Sequence, residues 1–436
     1  MKNLLLLLFI VSFGIFLRVH TISSKELWYD EAFSAEIVRN SYTEVFRLSA
    51  LDVHPPLYYS VLKVFTLVFG FSEAALRFPS VIFGVLLIPL VYLLVTYLTA
   101  NRVRALVAAL VVATNPFLVT YSREARSYAL LSLLTVLVFF FAVKAIKENK
   151  YVPLAITMPF LFLTHYISVF MLIPIAIYLL ALNRNKFIYF LPLLVVIVLW
   201  LPNIIAGTSS TGLKWVPDFT TQRIPQTVHA FILGTDTNKP RVAPPLNPFP
   251  INPNVTSIII FAVAITIILL SQPSKESLLL LLCGTVPIVL VALCSKFLGI
   301  NLYVERFMIG YGTLLLIYLV LATPRVLILT PYICVCVYLV LTFVPTNIGY
   351  RELANYPLNK LIVMTDAGDY ITAKYYLDNI KLQPGNWEDW VIIHDEDKLD
   401  ENTDIASYYL VSRVPIEQWE ATFSVGDFYF YDWYVR

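Results

Sequence analysis

Twelve apolar runs of 14 to 20 residues occupy nearly half of the chain, at 4–20, 57–70, 79–98, 105–121, 128–143, 151–164, 167–182, 187–206, 255–271, 277–294, 307–322 and 326–344. A soluble core cannot absorb so many. A helical residue advances about 1.5 Å, so roughly 20 apolar residues match the hydrocarbon of a bilayer. Charged residues make up 14% of the chain, against about 25% in soluble domains. A membrane β-barrel would show short segments of alternating polarity instead of unbroken runs. The pattern predicts an α-helical polytopic membrane protein, its 29 Phe, 27 Tyr and 7 Trp suiting interfacial belts. Cys283, Cys294, Cys334 and Cys336 fall inside apolar runs and read as small hydrophobes.

The net charge of +2 hides an asymmetry: residues 1–344 carry 24 Lys/Arg against 13 Asp/Glu, and residues 345–436 carry 7 against 16. The chain therefore divides into a basic apolar body, 1–344, and an acidic tail, 345–436. Neither has the basic polar stripe of a nucleic-acid binder. Two runs of 14 residues are marginal as spans. The 57–70 run also carries Lys63 at its centre, and a stretch of that length suits an interfacial or re-entrant helix. Taking 57–70 as non-crossing and Met1 as cytoplasmic puts nine positive residues in short inner loops: Arg102, Arg104, Lys144, Lys147, Lys150, Arg184, Lys186, Lys275 and Arg325. Four remain in short outer loops: Arg123, Arg126, Lys296 and Arg306. The positive-inside rule favours this arrangement. It gives about eleven spans in the cytoplasmic (inner) membrane, with an uncleaved first span because no small-x-small site follows Leu17.

Three long segments then lie outside: 21–78, 207–254 and the tail. The eight prolines of 207–254 argue against a continuous helix there. The tail reads as a small extracytoplasmic α/β domain, with strands at 361–364, 391–393, 408–412 and 428–431 and a helix near 369–380.

Four polar clusters fall on the outer face. Trp28-Tyr29-Asp30-Glu31 places adjacent carboxylates just beyond the first span, as a base, a metal ligand pair or merely the solvated first turn of an interfacial helix. Asp52-Val53-His54-Pro55-Pro56 holds an imidazole at a rigid entry to the 57–70 helix, or is a simple turn. Tyr121-Ser122-Arg123-Glu124-Ala125-Arg126 is an anion site or a self-paired polar turn. Glu305-Arg306 offers a further guanidinium or a snorkelling one. Taken together, these residues can deprotonate a hydroxyl and stabilise a departing phosphate.

At these positions the chain resembles a known group. Trp28 to Ala32, His54 to Tyr59, Leu76-Arg77-Phe78-Pro79-Ser80 and Tyr121 to Leu130 occur in order, and are similar to the signature of bacterial glycosyltransferase family 39-like proteins. These belong to the GT-C superfamily, with the protein O-mannosyltransferases and the lipid A aminoarabinose transferases. The resemblance covers residues 25–130, and more loosely Arg306. It implies a GT-C transmembrane domain acting as an inverting transferase that moves a sugar from a polyprenyl-phosphate donor to a hydroxyl of a lipid, glycan or protein acceptor on the outer face. It places catalysis on Asp30 and Glu31. Asp30 would take the acceptor proton, and Glu31 would support it or bind sugar. The expected substrate-binding residues are His54, Tyr58, Arg123, Glu124, Arg126 and Arg306. The chain departs from the group at His54, where the aminoarabinose transferases have Lys, and at Glu124 and Arg126, where they have Asp.

No metal-binding spacing such as H-E-x-x-H is present, so no cofactor is expected, although a divalent metal could assist. Besides the donor and acceptor, membrane lipids are the expected partners. An O-antigen polymerase or ligase would concentrate its Arg and His in a late outer loop. A lipid-linked sugar transporter or flippase would need polar groups deep in spans such as 79–98 and 128–143, which carry only Ser, Thr and Tyr. The topology has a direct test. Cysteine at Gly212 or Asn386 should react with an impermeant maleimide added to intact cells, and cysteine at Asn149 should not. Labelling at Asn149 with protection at Asn386 would invert the assignment.

Overall fold

The computed structural model describes residues 1–52, 54–208, 216–234, 252–342, 349–355, 361–364, 366–377, 380–382, 407–412, 421, 423–425 and 428–434. Six helices among them are long and apolar enough to cross a membrane: Lys2–Val19, Glu73–Thr99, Tyr128–Glu148, Arg184–Ile205, Lys275–Phe297 and Glu305–Ala322. A seventh candidate is a bent pair. Five shorter apolar helices follow the runs at 57–70, 151–164, 167–182, 255–271 and 326–344. Leu4, Phe9, Leu93, Ile177, Val198, Leu199, Leu269 and Leu270 are all more than half exposed around the bundle. Large outward-facing apolar side chains in such number suit acyl chains and not water. The chain is an α-helical, multi-pass membrane protein. The eleven-span reading takes the six long helices, the bent pair and four of the five short ones, and remains a proposal.

The helix α15 (Ile309–Ala322) forms the bundle's centre, with every residue from Ile309 to Leu321 buried. Its neighbours approach closely because glycine leaves room. A Cβ on Gly310 would collide with Thr135 Oγ1, and one on Gly284 would meet the Leu315 backbone at 2.9 Å. Where lipid removes the hydrophobic drive between helices, such close contact is a main source of cohesion.

The apolar run at 105–121 is not one straight helix. It breaks between α6 (Arg102–Thr114) and α7 (Pro116–Ser122), which meet at 56°. Pro116 has no N–H to give to α6 but suits the first turn of α7. Asn115 Oδ1 accepts the Leu118 N–H at 3.0 Å, and its Nδ2 donates to Phe231 O at 2.9 Å. On the other side of the break, Arg18 donates to Ala113 O at 2.9 Å and Gly14 O at 3.1 Å, placing a cation on the C-terminal carbonyls of α6. The elbow redirects the chain into the turn at 123–127.

The segment 21–78 contains three short helices, α2 (Tyr29–Arg39), α3 (Tyr42–Leu51) and α4 (Leu57–Phe69). Lys63 does not point into lipid. It is buried and donates to Val38 O at 2.9 Å, while Val64, Leu67, Val68 and Phe69 are exposed on α4's other side. The helix α5 (Glu73–Thr99) begins six residues before the apolar run, because Ser72 caps it by accepting the Ala75 N–H at 3.3 Å. Arg77 is thereby helical and held in register with the first segment. The prolines of 207–254 do not exclude local helix: α12 (Arg223–Leu233) has Pro225 in its first turn, where no N–H is needed.

In the tail, β1 (Leu361–Met364), α18 (Ala367–Tyr376), β2 (Ile380–Leu382), β3 (Ser407–Ser412), β4 (Phe423–Val425) and β5 (Phe428–Tyr434) form an α/β unit. The sheet order is β2-β1-β3-β5-β4, with β1 parallel to β2 and β3, and β5 antiparallel to β3 and β4. The expected strand at 391–393 and the expected boundary near 344–345 lie outside the described residues. Tyr350, Leu353, Ile362, Met364, Tyr370 and Ile371 share an apolar core with Leu27, Ile37, Leu48, Leu62 and Leu76. Polar contacts pin the junction: Glu26 accepts the Gly349 N–H at 3.0 Å and the Arg351 N–H at 2.7 Å, and Arg351 pairs with Glu73. Arg351→Ala should loosen this docking by about 1.5–3 kcal/mol, the scale of a charged hydrogen bond. Limited proteolysis in detergent should then release the tail well before the bundle is cut.

Candidate active site

Asp30 and Glu31 are the second and third residues of α2, capped at Trp28. Successive helical residues diverge by about 100°, so the two carboxylates leave the helix in different directions. Glu31 turns inward and is fully buried. Its Oε1 accepts Arg77 Nε at 2.7 Å and the Ala125 N–H at 3.0 Å, and its Oε2 accepts Arg77 Nη2 at 2.8 Å. Burial opposes ionisation of this carboxyl, but the charges of Arg77 and Lys25 and the hydrogen bonds from Arg77 and Ala125 outweigh it. They hold Glu31 well below the usual carboxylate range. Asp30 keeps its side chain 15% exposed, with one carboxylate oxygen 3.7 Å from Arg306 Nη2.

Arg126 is the hub of the centre. Its Nη1 donates to Asp30 O at 3.3 Å, Ser34 Oγ at 3.2 Å and Tyr59 OH at 3.1 Å. Its Nη2 lies 3.1 Å from His54 Nε2. On the other ring nitrogen, His54 Nδ1 is 3.1 Å from Asp52 Oδ2, which also accepts Tyr59 OH at 3.0 Å. Asp52 thus sets the tautomer: Nδ1–H donates to the carboxylate and Nε2 faces the guanidinium. Burial, then the Arg126 charge, lowers the His54 pKa despite Asp52, so the ring is neutral near pH 7. Pro55 and Pro56 fix the approach, and the Leu57 N–H donates to Leu163 O at 3.1 Å.

Arg306 enters from the 3-10 turn Glu305–Met308, which starts the last part of the centre. Its Nε donates to Tyr128 OH at 3.1 Å, and its guanidinium carbon lies 5.5 Å from the Trp28 ring centre. Glu305 turns the opposite way, to Arg223 at 3.4 Å.

The structure therefore brings Asp30, His54, Arg126 and Arg306 together and leaves the other candidates around them. Tyr58 OH pairs with Ser80 Oγ at 2.9 Å, and Ser80 Oγ donates to Arg126 O at 3.1 Å. Tyr58 also lines a small cavity with His54, Pro55, Tyr59, Arg126 and Ser127. Glu124 pairs with Lys25 at 3.3 Å. Arg123 points at the first helix, donating to Leu17 O and lying 3.4 Å from His20 Nδ1. At the centre, Arg126 Nε, Ser127 Oγ and His165 Nε2 are buried with no hydrogen-bond partner among the described residues. No group of three His, Cys, Asp or Glu side chains able to hold a metal occurs among those residues.

Residues 53–205 match the family model for dolichyl-phosphate-mannose-protein mannosyltransferase. The matched stretch is about a third of the chain. It includes His54, Tyr58 and Arg126, while Asp30 and Arg306 lie outside it. No curated protein sequence matches the chain. Over 93% of this chain and 92% of the other, the structure is similar to ArnT from Cupriavidus metallidurans bound to undecaprenyl phosphate, at 12% identity and TM-score 0.47. The apo state of that protein gives 11% and 0.46 over the same shares. The S. cerevisiae protein O-mannosyltransferase Pmt1–Pmt2 complex bound to the sugar donor is similar over 49% of this chain and 33% of that one, at 17% identity and TM-score 0.35.

Three residues at this centre escaped the sequence reading as site members. Arg77 stands inside a quoted motif without a role, Asp52 beside His54 without one, and His165 lies just past the 151–164 run, where the sequence gives it none. A charged or ionisable residue at a membrane boundary was the available signal for each.

Glu31 and Arg77 are each buried at 0% exposure, so losing either leaves the other charged and unpaired. Glu31→Gln or Arg77→Met should each cost about 3–5 kcal/mol, measured by thermal unfolding in detergent. A carboxyl held low contributes stability fully above its ordinary value of 4.5, and loses it as the pH falls below that value. The gap between wild type and Glu31→Gln should therefore narrow below about pH 4.

Proposed function

We propose that this chain is an inverting glycosyltransferase that moves a sugar from a polyprenyl-phosphate donor to a hydroxyl of a lipid, glycan or protein, on the extracytoplasmic side of the membrane. The observation that carries the reading is the division of labour between the paired carboxylates: Asp30 remains partly exposed beside Arg306, whereas Glu31 is consumed by Arg77. The family match supports it too, since that family is named for a transferase acting on a dolichyl-phosphate-linked sugar.

In this mechanism the acceptor oxygen bonds to the anomeric carbon as the bond from that carbon to the phosphate oxygen breaks. Asp30 takes the acceptor proton, and the phosphate departs with the electron pair. Arg126 and Arg306 offset its charge through bidentate-capable guanidinium groups. His54, neutral, serves as a hydrogen-bonding wall and not as a cation. Glu31 is a positioning residue: through α2 it fixes the direction of Asp30.

A positioned carboxylate base contributes about 10²–10⁴-fold. Asp30→Asn keeps the side-chain shape and removes the proton acceptor. It should lower turnover with labelled polyprenyl-phosphate sugars by that factor and leave thermal stability and donor binding near wild type. Full activity in Asp30→Asn would remove the base and with it this mechanism.

A further inference from the structure

His165 stands beside the proposed centre and has no part in the chemistry described above. It joins α9 (Val152–Phe162) to the 3-10 turn Tyr166–Ser168. Its ring meets His54 edge-on at 5.3 Å between centroids and Phe307 at 4.9 Å, and it is 5% exposed. Nδ1 accepts the Ile167 N–H at 3.4 Å, which caps the turn. That bond needs the Nδ1 lone pair, so the proton of the neutral ring sits on Nε2. Nε2 is buried and has no hydrogen-bond partner among the described residues.

A simple cap does not need this side chain. Ser, Thr, Asp and Asn accept a backbone N–H at such positions and are preferred there. An imidazole adds a second, rigidly directed N–H on the far side of the ring. Donors stand around the ring: Arg126 Nη2 lies 3.1 Å from Nε2 of the neighbouring His54, Arg126 Nε is likewise buried without a partner among the described residues, and the charges of Arg126 and Arg306 both act on His165. Donors held dry and in place before a ligand arrives are arranged for an oxygen-rich anion.

We propose that His165 is a binding residue for the phosphate of the lipid-linked donor, donating through Nε2–H alongside Arg126. This rests on the glycosyltransferase reading of the centre. Burial, then the charges of His54, Arg126 and Arg306, hold the His165 pKa well below its ordinary value. Its contribution is therefore a directed hydrogen bond and not a further positive charge.

The two roles of the ring separate by substitution. Asn places its amide near Nδ1 and can keep the cap, whereas Gln reaches toward Nε2 and can keep the donor. Binding of undecaprenyl phosphate alone is measured on the full-length protein in lipid nanodiscs, with thermal unfolding alongside. His165→Asn should unfold like wild type and bind at least about tenfold more weakly, as loss of a hydrogen bond to a charged group implies. His165→Gln should bind within about threefold of wild type even where its unfolding temperature falls. The opposite ranking would leave His165 as a cap only and overturn the proposal. Normal binding of undecaprenyl phosphate by His165→Asn, with loss confined to a sugar-bearing donor, would move Nε2 to the sugar and also overturn it. If wild type fails to bind undecaprenyl phosphate, the glycosyltransferase reading itself falls; if wild type binds and His165→Asn matches it, only the His165 assignment falls.

Discussion

The guanidinium of Arg77 meets five acceptors at once, and the geometry of the proposed centre depends on it. Nε and Nη2 hold the two Glu31 oxygens, and the remaining bonds go to the carbonyls of Ile22, Lys25 and Glu26. All of Arg77's hydrogen-bonding capacity is thus spent on the segment after the first helix and on the first turn of α2. Glu31 also accepts the Ala125 N–H, so the same ion pair fastens the turn that presents Arg126. Three stretches of chain far apart in sequence are aligned by one pair that the proposed mechanism keeps away from substrate. A buried pair of this kind is worth little against an apolar substitute, but it is costly to break from one side. That asymmetry suits a device for alignment more than one for raw stability.

A recurring arrangement follows from the local backbone. Neighbouring charged residues turn to opposite sides, one toward the scaffold and one toward the centre. Glu31 takes Arg77 while Asp30 faces Arg306; Glu305 takes Arg223 while Arg306 faces Asp30. In the turn at 123–127, Arg123 goes to the first helix, Glu124 to Lys25, and Arg126 to the centre. A helical or 3-10 step of about 100–120° separates consecutive side chains, so a charged pair in sequence becomes one group facing the scaffold and one facing the centre. The resulting centre holds more donors than acceptors in a largely dry setting, where each electrostatic contact counts for more than it would in water.

The surroundings supply access and cover. Helix α4 sets its exposed apolar side outward and its Lys63 onto α2, which suits a position along the membrane surface. The tail's α18 and β1 cover the other side of the first segment through a shared apolar core. Tyr376 OH accepts the Leu27 N–H at 2.8 Å, so the tail also reaches the strand of chain that leads into α2.

Much of this was determined by sequence alone, for reasons of length and periodicity. Apolar runs of bilayer length dictate a helical membrane protein whatever their partners, and the interruption at Lys63 marked 57–70 as different. The α/β character of the tail followed from short β-branched and aromatic runs at 361–364, 408–412 and 428–431. Asp30, His54, Arg126 and Arg306 were legible as candidates because polar groups at a membrane face are costly unless they are used. Residue type and spacing alone do not tell Asp30 from Glu31, or Arg126 from Arg123, since each pair offers the same chemistry at nearly the same address; the roles expected for Asp30 and Glu31 rested on the resemblance. Only the tertiary structure separated them. The direction of a side chain depends on where its helix begins and which distant residue fills the opposite face, and here Ser72 starts α5 early enough for Arg77 to claim Glu31. His165 was hidden for the same reason: a histidine at the end of an apolar run gains meaning only when packing sets it beside His54 with Nδ1 already committed.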